Sequence, residues 1–424
     1  MNGPTGEPRQ APTIAIIGTL DTKSDEIEFV RDTLRGFQAD TLVIDSGILG
    51  HPRLVADISR EQVAREGGHE LRDVQDSGSR GRAVEMMQDA LRVLSRHLYD
   101  SGRIQGVLCL GGAEGALMGA AAMHALPVGV PKLIVSPSAS GRREFDPFMG
   151  SSDVLVMHSV VDILGLNAVS KSVFTNAAAA IYGMTTLAGT KPVSDRPGVG
   201  ITMLGQTTPG AMVLAKRLEG AGYEPIIFHA NGIGGPAMDD FVRDGAVTGV
   251  IDLTLSEVVN SLFNGIHATS DARMTAAVSH GLPLVVVPGA GDFFNQGPLD
   301  TVPERYLKRK LYHHNPVATL VRVEPDEMRQ LARDIAERVN PATAPTEVIV
   351  PTRGLSLVGV TGGPIADPDA DAALVEELQL RLAPHIPLTV VDTDINDPGF
   401  ADTVADHFLA LVHHDGGVQP RRVT

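Results

Sequence analysis

Tryptophan is absent from this chain of 424 residues, cysteine occurs once, and aromatic residues make up only 4%. A single thiol excludes a disulfide framework within the chain and a cysteine-based zinc site. Cys109 itself lies inside an apolar run and reads as a small buried hydrophobe. With so few rings, the cores must be built from Val, Leu, Ile and Ala, as in buried parallel sheets. Basic charge is also scarce: 35 Lys and Arg stand against 51 Asp and Glu, a net charge of −16. That balance argues against a nucleic-acid or anionic-membrane surface. No apolar run approaches the ~20 residues of a membrane-spanning helix. Residues 1–12 are polar, carry Pro and Gly, and lack a signal-peptide core, so they are expected to form a disordered leader. A cytoplasmic address follows by elimination.

What is present is a repeated alternation of strand and helix. The length exceeds one ordinary core, so two domains are expected, at 13–190 and 199–415, joined through the Pro- and Gly-bearing segment Gly189–Gly198. In the first, strands are predicted at Ile14–Ile17, Thr41–Ile44, Gly106–Leu110, Lys132–Val135 and Val154–Met157. Helices are predicted at Asp25–Arg35, Arg82–Ser95 and Ala116–Met123, with Asp73–Arg82 as a loop and the Ala- and Ser-rich Val160–Met184 as a buried helix. The second domain repeats the pattern, with strands at 201–205, 224–230, 249–253, 284–287, 319–322, 347–350 and 388–392. This predicts an α/β protein of two doubly wound, Rossmann-like subdomains with mainly parallel sheets.

Ligands of such sheets bind beyond the carboxyl ends of strands. The first strand runs into Gly18, Thr19, Asp21, Thr22 and Lys23, a polar turn followed by a helix capped by Ser24 or Asp25. Exposed amides and a helix dipole there suit an anion. Asp45 closes the next strand where a ribose-binding acid would lie. Gly111, Gly112, Glu114 and Gly115 open another helix, where backbone could approach a phosphate. Ser136, Ser138 and Ser140–Gly141 follow the fourth strand, and Asp153 precedes the fifth. The second domain offers His229, Asp292, His313, His314 and Arg353, a set suited to an anionic small molecule and acid–base work. The spacing of these imidazoles is not diagnostic of a metal, so no metal site is assigned. Neither the Walker pattern nor a hydrolase elbow is present.

Ordered blocks along residues 12–412 resemble the uncharacterised two-domain family that includes the N-terminal ATP-binding domain of the tomato mosaic virus resistance protein, the Tm-1-like ATP-binding family. They include GTLDTK (18–23), SDVLVMHSVVDILGLN (152–167), NAAAAIYGM (176–184), FHANGIGGPAMD (228–239), GVIDLTLSEV (249–258), PERYLKRKLYHHNP (303–316) and GGPIADPDAD (362–371). The resemblance implies nucleotide binding in the first subdomain, ATP contacts at residues 18–23 and 111–115, and homodimers. In the plant member a phosphoenolpyruvate-mutase-like barrel follows, so a separately encoded barrel partner is expected here. The family loop reads Gly-Gly-Ser-Gly-Gly-Thr, whereas this chain has Gly-Gly-Ala-Glu-Gly-Ala at 111–116. An unpaired Glu114 carboxylate ~5 Å from a phosphate would cost about 3 kcal/mol. Either it points away or holds a cation, or the ligand differs.

Three functions remain open from sequence. The first is an ATP-dependent enzyme, a transferase or ligase, acting on a small anionic metabolite in an inter-domain cleft. Asp21 or Asp153 would then hold magnesium, and Thr19, Thr22 and Lys23 the phosphates. The second is a non-catalytic, nucleotide-dependent binding or sensor protein. The third is a nucleotide-free isomerase or lyase using the His and Asp residues of the second domain.

Overall fold

The computed structural model describes residues 11–139, 146–187, 194–269 and 273–414. The leader as far as residue 10, Ser140–Gly141, and 189–193 of the expected linker lie outside the described residues. The chain divides into two compact units, Met1–Pro192 and Val193–Thr424.

In the first unit the apolar runs become strands β1 (Thr13–Gly18), β2 (Asp40–Asp45), β3 (Gly106–Leu110), β4 (Lys132–Ser136) and β5 (Leu155–His158). They form one parallel sheet in the order β2-β1-β3-β4-β5. Helices α1 (Leu20–Gly36), α2 (Arg60–Glu66), α3 (Leu71–Gln75), α4 (Arg80–Asp100), α5 (Ala113–His124), α6 (Asp146–Met149) and α7 (Ala168–Leu187) complete it. Alternate residues of each strand face opposite sides. Ala15, Ile17, Val107, Cys109 and Ile134 therefore join the core beneath α2, α4 and α5. Ile14, Ile16, Leu108, Leu110, Leu133 and Val135 join the one beneath α1 and α7. Burial on both faces is why these strands read as continuous apolar runs rather than alternating ones.

Three first-unit expectations need correction. Helix α1 begins at Leu20, but a kink with non-helical backbone at Lys23 sets this extra first turn apart from the helix expected after Ser24 or Asp25. The loop expected at Asp73–Arg82 is helical at both ends, because α3 carries Val74 into the core and α4 begins at Arg80. The predicted helix Val160–Met184 is helical only from Ala168.

The second unit contains β6 (Gly198–Met203), β7 (Glu224–His229), β8 (Gly249–Thr254), β9 (Leu284–Gly289), β10 (Phe293–Gln296), β11 (Leu311–Asn315), β12 (Ala318–Arg322), β13 (Thr346–Pro351) and β14 (Leu388–Val391). Its helices are α8 (Thr208–Gly220), α9 (Gly234–Arg243), α10 (Ser256–Leu262), α11 (Thr275–Ser279), α12 (Pro325–Val339), α13 (Pro368–Arg381) and α14 (Pro398–His414). The parallel sheet runs β14-β13-β9-β8-β6-β7. Strand 319–322 was expected in that succession; instead β12 forms a separate antiparallel sheet, ordered β10-β12-β11.

Candidate functional site

The order β2-β1-β3-β4-β5 reverses direction between β1 and β3, so the connections after these strands leave toward opposite faces and open a crevice between them. A cavity of about 760 Å³ lies there. The turn after β1 supplies Thr19, Asp21, Thr22 and Lys23, and the turn after β3 supplies Gly112, Ala113, Glu114 and Gly115. Ile48, Leu49, Ala83, Val84 and Met118 make an apolar wall, and Ser79 and Arg80 enter from the start of α4.

Of the glycines in the second turn, Gly111 is sterically required. A Cβ on Gly111 would lie 2.6 Å from the Ala116 amide nitrogen, so this glycine permits the tight strand-to-helix turn. Cβ atoms on Gly112 and Gly115 would meet nothing within 4 Å. Gly112 caps α5 without a side-chain bond, so no capping side chain covers the first-turn amides, and residues 112–115 line the cavity. At the first turn, Thr19 and Thr22 share a hydroxyl–hydroxyl hydrogen bond of 3.0 Å. The Lys23 ammonium donates to the Ile163 carbonyl.

Glu114 is neither unpaired nor turned away. Its Oε2 accepts from Arg80 Nε at 2.8 Å and Nη2 at 2.5 Å, so the charge that the sequence introduced into the glycine turn is matched from α4. Sequence reasoning did not find Arg80. It stands 34 positions away in a polar stretch with no pattern tying it to the turn.

Other expected contacts lie outside the cavity lining. Gly18 brings β1 close to α1, because a Cβ there would lie 2.6 Å from Ile27 Cδ1. Asp45 is buried, and its Oδ1 accepts from the Leu20 amide at 3.0 Å and the Gly47 amide at 2.8 Å. Burial pushes its carboxyl pKa up, against the pull of those two amides. It therefore braces the turn after β1. Ser136 is buried and accepts from the Ser138 amide at 3.2 Å. Asp153 is corrected as a magnesium candidate. It bonds Lys132 at 2.5 Å, the first residue of β4, and so lies at the amino ends of the strands, away from the cavity.

In the second unit the expected polar set is dispersed. Asp292 is fully buried, accepting from Ser356 Oγ at 2.7 Å and lying 3.5 Å from Arg322 Nη1. His313 and His314 are exposed on β11, in the antiparallel sheet rather than at parallel strand ends. His229 is exposed at the end of β7. Arg353 is exposed and grips Asp392, with Nε–Oδ1 at 2.7 Å and Nη2–Oδ2 at 2.5 Å. The buried carboxylate is thus walled off from the exposed imidazoles. No group of three or more His, Cys, Asp or Glu suited to a metal occurs among the described residues.

What does converge in this unit is Arg273, fully buried, with Nη2 2.7 Å from Asp252 Oδ1 and Nε 2.9 Å from Glu257 Oε2. Glu257 Oε1 also accepts the Gly232 amide at 2.7 Å and the Gly235 amide at 3.2 Å. Asp239 is 2% exposed, and its Oδ2 has no hydrogen-bond partner among the described residues. Burial raises its pKa to about 7, with Arg273 opposing and Asp252 reinforcing the shift. Three carboxylates around one guanidinium favour a proton on Asp239, because the direct ion pairs of Arg273 go to Asp252 and Glu257.

Comparison with known proteins meets this architecture along its whole length. The "Uncharacterised protein family (UPF0261) N-terminal domain" matches residues 12–190, and the corresponding C-terminal domain matches 196–412. The chain belongs to the UPF0261 family. A UPF0261 protein of Clostridium tetani is 36% identical over 400 residues, covering 94% of this chain and 98% of the relative. The ToMV resistance protein Tm-1(GCR237) of Solanum lycopersicum is 35% identical over 428 residues, covering 95% of this chain but 56% of the tomato protein. The ToMV susceptible protein tm-1(GCR26) of the same plant is 35% identical over 431 residues, covering 96% of this chain and 57% of that protein. The resemblance to the Tm-1-like proteins read from the sequence blocks is therefore upheld. No helix among the described residues is long and apolar enough to cross a membrane.

Proposed function

We propose that the first unit of this UPF0261 protein binds a nucleotide, with ATP the first candidate. One observation carries the reading: two polar turns, after β1 and after β3, face a single cavity at the reversal point of a parallel sheet. The turn at 112–115 offers amides and a helix N-terminus to the phosphates. Ile48, Leu49, Val84 and Met118 offer an apolar wall to a base. Asp21 is the lining carboxylate that we assign to a magnesium ion arriving with ATP. Action on a small anionic metabolite, by phosphoryl or adenylyl transfer, would take place beside this cavity.

Non-catalytic binding is the second reading. It is favoured because no imidazole or thiol is among the side chains lining the cavity. The nucleotide-free isomerase or lyase loses support, since Asp292 is sealed in a buried ion pair.

Isothermal titration with Mg-ATP tests the proposal. The wild-type protein is expected to bind. Gly112 has φ −63°, open to any residue, and free space at its Cβ. Gly112→Val should therefore keep the fold while weakening binding roughly tenfold or more. Absence of any heat or thermal shift with the wild-type protein would remove the nucleotide reading. Binding with no detectable ATP turnover would select the second reading over the first.

A further inference from the structure

We propose that Glu114 is an internal competitor for the cavity's exposed guanidinium, Arg80, and that the Arg80–Glu114 pair sets the threshold for ligand binding. This rests on the nucleotide reading of the same cavity. Both residues line the cavity, yet Arg80 is 75% and Glu114 43% exposed in their side chains, so the pair sits at its rim. Both hydrogen bonds fall on one oxygen, Glu114 Oε2. The other cation in the lining, Lys23, is already engaged by the Ile163 carbonyl, inside the same unit. Arg80 is therefore the positive side chain that an entering phosphate can recruit.

Exchange is favourable in one direction. An exposed carboxylate–guanidinium pair contributes little and is readily opened. A phosphate offers more charge and more acceptor oxygens in a geometry that the guanidinium fork matches. A ligand that carries only a carboxylate offers Arg80 nothing better than Glu114, which is tethered beside it. The pair thus admits phosphate-bearing ligands and disfavours carboxylate ones. Once displaced, Glu114 stands near the bound phosphate and opposes it, so the affinity is held below what the turn alone would give.

Titration of Mg-ATP into the full-length wild-type protein and into Glu114→Gln, Arg80→Gln and the double variant tests this. Exposure of both side chains keeps the fold intact, and matching melting curves verify that. Glu114→Gln should tighten ATP by roughly tenfold, and Arg80→Gln should weaken it by a similar factor. In the Arg80→Gln background the gain from Glu114→Gln should shrink, because only the repulsion is then relieved. Malonate, as a carboxylate probe, should compete with ATP in Glu114→Gln but not in the wild type. If the wild type binds ATP and Glu114→Gln binds it no tighter, the competitor role is wrong while the nucleotide reading stands. If neither form binds, both fall.

Discussion

Single side chains decide most of the chemistry here, and their partners are distant in sequence. Arg273 would ordinarily be read as a surface charge, since arginine is seldom buried without a partner. Here it is fully enclosed among Asp252, Glu257 and Asp239. Gly235 makes the arrangement fit, because a Cβ there would lie 2.1 Å from Glu257 Oε2. Asp239 carries a pH prediction. Its folded pKa of about 7 stands well above the ordinary aspartate value of 3.8. The folded state therefore binds the proton more tightly, and the stabilisation is complete only below the unfolded pKa. Stability should fall as pH rises from about 4 to about 7, by up to about 1.4 kcal/mol per pH unit, and level off above. Asp239→Asn should flatten that slope in urea melts taken across this range. An unchanged slope would place the proton elsewhere. Cys109, by contrast, keeps the role its apolar setting suggests: it is fully buried and its thiol pKa is pushed up to about 12 by that burial.

At the scale of elements, legibility follows burial. Strands β1, β3, β4, β8 and β9 were readable because sheets covered on both faces need unbroken runs of Val, Ile and Leu. Strands β10 and β11 were missed. Their sequences, FFNQ and LYHHN, are short and mixed, and only pairing with β12 makes them strands. The histidines of β11 were misplaced with them. Helix α5 shows what a helix must give up to lie close on a sheet. A Cβ on Gly119 would lie 2.2 Å from Cys109 Sγ. Gly119→Ala should therefore destabilise the first unit by about 1–3 kcal/mol despite its better helix propensity. Thermal denaturation would test this, and a neutral or stabilising result would mean that α5 can move off β3. Gly119→Ala combined with Cys109→Ser would not be a clean rescue, because it also buries a hydroxyl.

Over the whole molecule, the two units repeat one plan. Counted within its own unit, the second parallel sheet has the order 2-1-3-4-5-6, and the first has 2-1-3-4-5. Each unit closes apolar cores on both faces of its sheet. A core that closes within a segment should let that segment fold alone. Residues 11–192 expressed separately should melt in one cooperative transition and retain the ATP affinity of the full chain. Loss of the transition would show that the first unit depends on the second. The sequence by itself determined the class of fold and the family, because apolar runs, glycine turns and ordered motif blocks are local features. It also determined that a polar turn follows β1 and another follows β3. Only the tertiary structure decided that these turns share a cavity, that Arg80 answers Glu114, and that Asp292 is sealed away from the histidines. Charge pairing and burial act between residues brought together by folding, over separations on which the linear order of the chain places no constraint.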